Sequence, residues 1–119
     1  REEPEITVRI QGEGKAFADA ALVDQILLNL LQNAATAMNG SGSITIKIGD
    51  GQVAVKDSGP GVSDHARQRI FEPFYTTHTE GTGLGLAICK RAAESMGADL
   101  KLLEAEPEGG ACFMLSWSH

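Results

Sequence analysis

From Val23 to Met38 the apolar residues Val23, Ile26, Leu27, Leu30, Leu31, Ala34 and Met38 recur at intervals of three and four, until Asn39-Gly40-Ser41-Gly42 ends the pattern. Such spacing places them on one face of a helix, and Asp19 stands where a side-chain oxygen can cap its first turn. Two runs of period two follow at once, Ile44 to Ile48 and Val53 to Val55, joined by Gly49-Asp50-Gly51. That is a hairpin signal. A helix with one apolar face beside a two-stranded hairpin buries that face on the sheet, so the chain is expected to form layers of helix on sheet.

The remaining segments extend this plan. Ile6, Val8 and Ile10 alternate with polar residues before Gly12-Glu13-Gly14, which reads as an edge strand and a turn, and Lys15 to Ala18 is expected to be a short second strand. A helical pattern returns at Leu84, Ile88, Ala92 and Met96, with Gly97 as its stop. Two strands, Asp99 to Glu104 and Ala111 to Trp117, close the chain around Pro107-Glu108-Gly109-Gly110. The expected fold is therefore α+β, a two-layer α/β sandwich whose mixed, mostly antiparallel sheet carries helices on one face. Residues 1–119 show no repeat and no linker, so they are expected to form one domain. The stretch from Ser58 to about Thr82, with only a short helix expected at Ser63 to Ile70, is longer than a compact domain tolerates without a function.

Composition narrows the classes. A chain of 119 residues that is 42% hydrophobic can bury a core without a disulfide or metal staple. Cys89 and Cys112 lie far apart in apolar stretches, which suits reduced, packed thiols and a cytoplasmic setting. No apolar run approaches the length of a membrane span and no signal peptide is read at the start, so a soluble domain without membrane contact is expected. Ten Lys and Arg against sixteen Asp and Glu give a net charge of -6, which disfavours nucleic acid. A nucleoside triphosphate would meet the same repulsion and would need a divalent cation and local dipoles.

Four features carry chemistry. Asn29 and Asn33 lie four apart on one face of the apolar helix, where an unpaired amide is costly. They read either as amides bonded to backbone or as Mg2+ ligands alongside phosphate oxygens. Asp57-Ser58-Gly59-Pro60-Gly61 puts a carboxylate at a strand end before a flexible turn. It reads as a capped turn or as an acceptor for the exocyclic amine of a flat ligand. Gly81-Thr82-Gly83-Leu84-Gly85-Leu86 runs into a helix, whose first N–H groups lack internal partners and suit phosphate, although a ligand-free hinge is the other reading. Ile70-Phe71-Glu72-Pro73-Phe74-Tyr75-Thr76-Thr77-His78 concentrates aromatics in the loop and reads as a lid, as a loop pinned to the core, or as both.

In order and spacing these features resemble the catalytic, ATP-binding domain of bacterial sensor histidine kinases, members of the GHKL superfamily with the Bergerat fold. Asp24 to Ala34 is similar to the N box, Asp57 to Gly61 to the G1 box, Ile70 to Phe74 with Thr76-Thr77 to the F box, Gly81 to Leu86 to the G2 box, and Gly110 to Phe113 to the last glycine box. The FEPFYTT form resembles the nitrogen-regulation and oxygen-sensing kinases. The resemblance implies Asn33 as the Mg2+ ligand, with Asn29 a second ligand or a phosphate contact. It implies Asp57 as reader of the adenine amine, with Ala37, Gly59, Gly61, Val62 and Phe74 around the nucleotide and Thr82, Gly83, Leu84, Gly85 and Leu86 at the phosphates.

Two positions depart from the family pattern. His78 and Thr36 stand where relatives commonly carry Lys, which removes up to two cations from the site; Arg67, Arg69 and Lys90 are the candidates to replace them. The phospho-accepting histidine on its long helix also has no counterpart, since His65 and His78 fall in the loop and His119 at the terminus. The expected activity is transfer of the γ-phosphoryl group of Mg-ATP to a histidine on a separate dimerisation domain, which in turn serves a response regulator. By itself the chain is expected to be monomeric and not to phosphorylate itself. An anti-sigma-factor-like serine kinase and a nucleotide-sensing module without phosphotransfer are the alternatives. GHKL ATPases that hydrolyse ATP place a Glu where this chain has Asn29.

Overall fold

The computed structural model describes residues 5–14, 19–75, 85–104 and 109–117. Five strands and three helices follow in the order β1 (Ile6–Gly12), α1 (Ala20–Ala37), β2 (Gly42–Gly49), β3 (Gln52–Asp57), α2 (Asp64–Arg67), α3 (Gly85–Ser95), β4 (Ala98–Leu102) and β5 (Cys112–Trp117). The expected strand at Lys15 to Ala18 lies outside the described residues.

α1 begins where Asp19 Oδ1 accepts the N–H groups of Ala21 and Leu22 at 2.9 and 3.2 Å. It ends where Asn39 and Gly40 turn into positive φ and Gly40 N–H returns to Ala35 O. Ile26, Leu30 and Ala34, at four-residue spacing, are buried, and Met38 continues the row past the helix end. α3 packs Ala87, Cys89 and Ala93 beside them.

The sheet order is β1-β2-β3-β5-β4. The expected hairpin is present, with Ile46 opposite Val55 and Gly49 opposite Gln52. β5 lies between β3 and β4, antiparallel to both. β1 runs parallel to β2 because helix α1 carries the chain back between them. Pairing register puts Ile44, Ile46, Val55, Asp57, Phe113, Leu115 and Leu100 on one face, and their burial with α1 and α3 residues makes this the helix-covered side. Lys47 and Lys101 face the other way, toward water. The layered α/β architecture therefore stands as expected.

The connection after β3 is shorter in helix than its sequence suggested. Ser63 caps α2 by accepting Ala66 N–H, but the helix stops at Arg67 and residues 68–75 proceed through turns closed by Arg69 N–H to Ala66 O and Glu72 N–H to Arg69 O. Pro73, which has no N–H to donate, prevents a regular helix from resuming there.

Candidate functional site

Asp57 ends β3 on the helix-covered side and is 6% exposed, the one buried charged side chain among the described residues. A buried carboxylate requires donors. Its Oδ1 accepts Gly59 N–H at 2.9 Å and Ala111 N–H at 3.1 Å, and its own N–H donates to Ala111 O at 2.9 Å. Both donors meet the same oxygen, so among the described residues Oδ2 accepts no hydrogen bond. The turn reading is met at Oδ1 and leaves the acceptor reading open at Oδ2.

The turn after Asp57 is pressed onto α1 and onto the entry to β5. A Cβ on Gly59 would lie 3.1 Å from Met38 Cγ and 3.7 Å from Ala37 O, and one on Gly61 would lie 3.1 Å from Gly110 O. Gly110 itself sits at φ +85 with its α-carbon against Asp57 O, where any Cβ would overlap that oxygen. Val62 packs against the core. Beside the turn, Ala37, Met38, Asn39, Ser41, Ser58, Gly59 and Pro60 line an open depression of about 490 Å³.

Ser58 ties this corner together. Its hydroxyl accepts Ser43 N–H at 2.9 Å and donates to Met38 Sδ at 3.4 Å. Sequence reasoning named Ser58, Met38 and Gly110-Ala111 in separate segments but missed that they meet around Asp57. The accessible signal was the buried carboxylate itself, which needs N–H donors, and Gly109-Gly110 was the other close-approach run leading into a strand.

Asn29, Asn33 and Ala37 form a second row on α1 at four-residue spacing. Asn29 Nδ2 donates to Gln25 O at 3.1 Å, as the backbone-bonded reading required. Its Oδ1 lies 3.8 Å from where a Cβ would stand on Gly85, so the start of α3 abuts Asn29. Asn33 is half-buried, and among the described residues its amide has no hydrogen-bond partner. Each amide carries an oxygen, the donor type that Mg2+ takes in ones or twos alongside phosphates and water.

The aromatic segment divides. Phe71 meets Phe113 edge-on with ring centroids 6.1 Å apart, which pins the segment to the core. Phe74 is 75% exposed at φ +67. Leu86 packs against the core. His78, Thr82, Gly83 and Leu84 lie outside the described residues.

Of the cations proposed to replace the two missing lysines, two are engaged elsewhere. Lys90 Nζ bonds Asp99 Oδ1 at 3.0 Å and Leu100 O at 2.8 Å, and Arg67 Nη2 bonds Leu103 O at 2.9 Å. The Lys90 ammonium, expected at the phosphates, is bonded in this structure to an acidic side chain and a carbonyl of β4. Arg69 is exposed, paired with Glu72 at 3.4 Å and stacked 4.8 Å from the Tyr75 ring.

Residues 18–119 match the family model described as histidine kinase-, DNA gyrase B-, and HSP90-like ATPase. The chain is 38% identical over 109 residues to the adaptive-response sensory kinase SasA of Synechococcus sp. (strain CC9902), covering 83% of this chain and 28% of that protein. It is 41% identical over 101 residues to the sensor histidine kinase ZraS of Klebsiella oxytoca, covering 81% of this chain and 22% of that one. The chain thus spans about a quarter of the length of these curated relatives. Among solved structures it is similar to the catalytic domain of histidine kinase ThkA, with TM-score 0.74 and 34% identity over 91% of this chain and 76% of that chain. Full-length ShkA in complex with AMPPNP gives TM-score 0.74 and 36% identity over 93% and 24%.

Proposed function

The chain belongs to the histidine kinase-, DNA gyrase B-, and HSP90-like ATPase family, and from that premise we propose that it binds ATP with Mg2+ and presents the γ-phosphoryl group to a histidine of a separate dimerisation and phosphotransfer domain. A response regulator then takes the phosphoryl group from that domain, and the reaction belongs to the cytoplasmic side of a two-component system.

The observation that carries the reading is Asp57: a buried carboxylate whose two N–H donors both meet Oδ1, leaving Oδ2 to accept the adenine amine. Gly59 and Gly61 bring the backbone close enough for a flat base to lie against the turn, with Ala37, Val62 and Phe74 around it. Asn33 supplies the amide oxygen for Mg2+, with Asn29 beside it. Held there, Mg2+ would neutralise phosphate charge. Thr82, Gly83 and Leu84 hold phosphate at the entry to α3, where Gly85 and Leu86 begin the helix and its first N–H groups have no internal partner. Arg69 and His78 are the cations left to meet the phosphates.

Position 29 directs the outcome. An amide takes no proton from water, and Asn29 Nδ2 is already given to Gln25 O, so this position offers no general base for hydrolysis. Transfer to a histidine, itself a nucleophile, needs positioning and charge stabilisation more than a base. Calorimetric titration of ATP with and without Mg2+, repeated on Asp57→Asn and Asn33→Ala, tests the assignment. Asp57→Asn should weaken ATP in both conditions, whereas Asn33→Ala should weaken it only with Mg2+. Unchanged binding in both variants would overturn the site, and stable γ-phosphate on the isolated chain would overturn the need for a separate acceptor domain.

A further inference from the structure

The outer edge of β4 is met by two side chains that come from the helices α2 and α3. β4 has β5 on one side only, and Leu103 N–H donates to Cys112 O, so the alternation of the antiparallel ladder turns the backbone groups of Leu100 and Leu102 outward. Those carbonyls are taken. Lys90 Nζ, reaching from α3, lies 2.8 Å from Leu100 O, and Arg67 Nη2, reaching from α2, lies 3.3 Å from Leu102 O and 2.9 Å from Leu103 O. Lys90 also sits 5.1 Å from the centre of the Phe71 ring, whose edge meets Phe113.

Arg67 belongs to residues 64–71 and Lys90, held by β4, touches that segment through the Phe71 ring; the segment lies between the turn that carries Gly61 and the stretch that carries Thr82 and Gly83. We propose that Arg67 and Lys90 are positioning residues, which bond the outward carbonyls of β4 and thereby hold the α2 to Phe71 segment at a fixed place from which the phosphate-binding stretch departs. The proposal rests on the ATP reading above. It assigns a place to two cations that charge alone directs toward phosphate. The base end of the site does not depend on the clamp, because Asp57 is held separately by Gly59 and Ala111 N–H and by contact with Gly110.

The test combines hydrogen exchange on the nucleotide-free chain with calorimetry of Mg-ATP and of adenosine, on Arg67→Ala, Lys90→Met and the conservative Lys90→Arg. Exchange in residues 64–75 should rise about tenfold in the first two variants while the α1 amides keep their protection. Mg-ATP affinity should fall about tenfold and adenosine affinity should stay within about twofold. Lys90→Arg should restore both. Weakened ATP with unchanged exchange in 64–75 would overturn the proposal in favour of direct phosphate contact. Equal loss of ATP and adenosine with exchange raised through α1 would overturn it in favour of general structural support. A wild-type chain that binds neither ligand would end the nucleotide reading and the positioning role with it, and localised exchange would then mark the failure as that of the nucleotide reading, not of the clamp.

Discussion

Asp57 and Cys89 show how much a single buried group can decide. Replacing Asp57 by Asn keeps an oxygen for Gly59 and Ala111 N–H but turns an amide donor toward the place assigned to the adenine amine, so two donors face each other. A buried donor left without an acceptor costs about 1–3 kcal/mol, which predicts roughly a 10- to 100-fold rise in the ATP Kd with little change in the stability of the free chain. Cys89 is buried between α1 and α3, its Sγ 3.9 Å from Ile26 O, and burial pushes its thiol from 9.0 up to about 11, against a smaller opposing effect of the Asn29 side chain. An acid whose pKa is raised by folding contributes stability that is complete below pH 9.0 and is lost as pH rises through about 11, because the unfolded chain releases its proton first. The urea midpoint of the wild type should therefore fall across that window relative to Cys89→Ala. Parallel curves would show that the thiol titrates as it does in the unfolded chain.

Elements were legible where one segment's pattern decided them, and less so where two segments had to meet. Asp19, the row Ile26, Leu30, Ala34 and Met38, and the Asn39-Gly40 stop define α1 from the sequence because capping and period are local properties. The β2 and β3 hairpin was readable for the same reason. Alternation at Ile6, Val8 and Ile10 marks a strand but carries no direction, so the parallel pairing of β1 with β2 was not readable from it. The placement of β5 between β3 and β4 was hidden likewise, since nothing in Cys112 to Trp117 names its neighbours. In the site, the types of Asp57, Asn29 and Asn33 were informative because polar groups in apolar settings need partners. The bonding of Arg67 and Lys90 was not legible for the converse reason: a cation shows its charge in sequence, while the carbonyls at the β4 edge that receive it are brought to it only when the sheet forms. Gly110 belongs to this scale, where two strands meet. Gly110→Ala should destabilise the domain by about 2 kcal/mol or more, because a Cβ there overlaps Asp57 O. Gly97→Ala, at φ +74 with nothing within 4 Å, should cost only about 1 kcal/mol of backbone strain. Denaturant melts of the two variants measure the difference, and equal losses would show that the β3 to β5 contact is not tight.

At the scale of the whole molecule, the core and the ligand site are separable. The buried cluster of α1, α3 and the sheet closes around Leu30, Leu100, Phe113 and Leu115, whereas Ala37, at the end of its row on α1, and the turn after Asp57 line an open depression. Binding should then add stability without being needed for folding. At a free ligand concentration a hundredfold above Kd, mass action adds about 2.7 kcal/mol, which for a domain of this size raises Tm by roughly 10 °C. The net charge of -6 decides how that gain divides between ligands. Adenosine carries no charge and would be read at Asp57 alone, so its shift should be indifferent to Mg2+. ATP must bring its phosphates toward an acidic chain, and the cation and the N–H groups at the entry to α3 have to offset that repulsion. Chelating Mg2+ should therefore remove most of the ATP shift and leave the adenosine shift in place, and Asp57→Asn should reduce both by half or more. If chelation left the ATP shift whole, the phosphates would be held by protein groups alone and Asn33 would lose its role as a metal ligand.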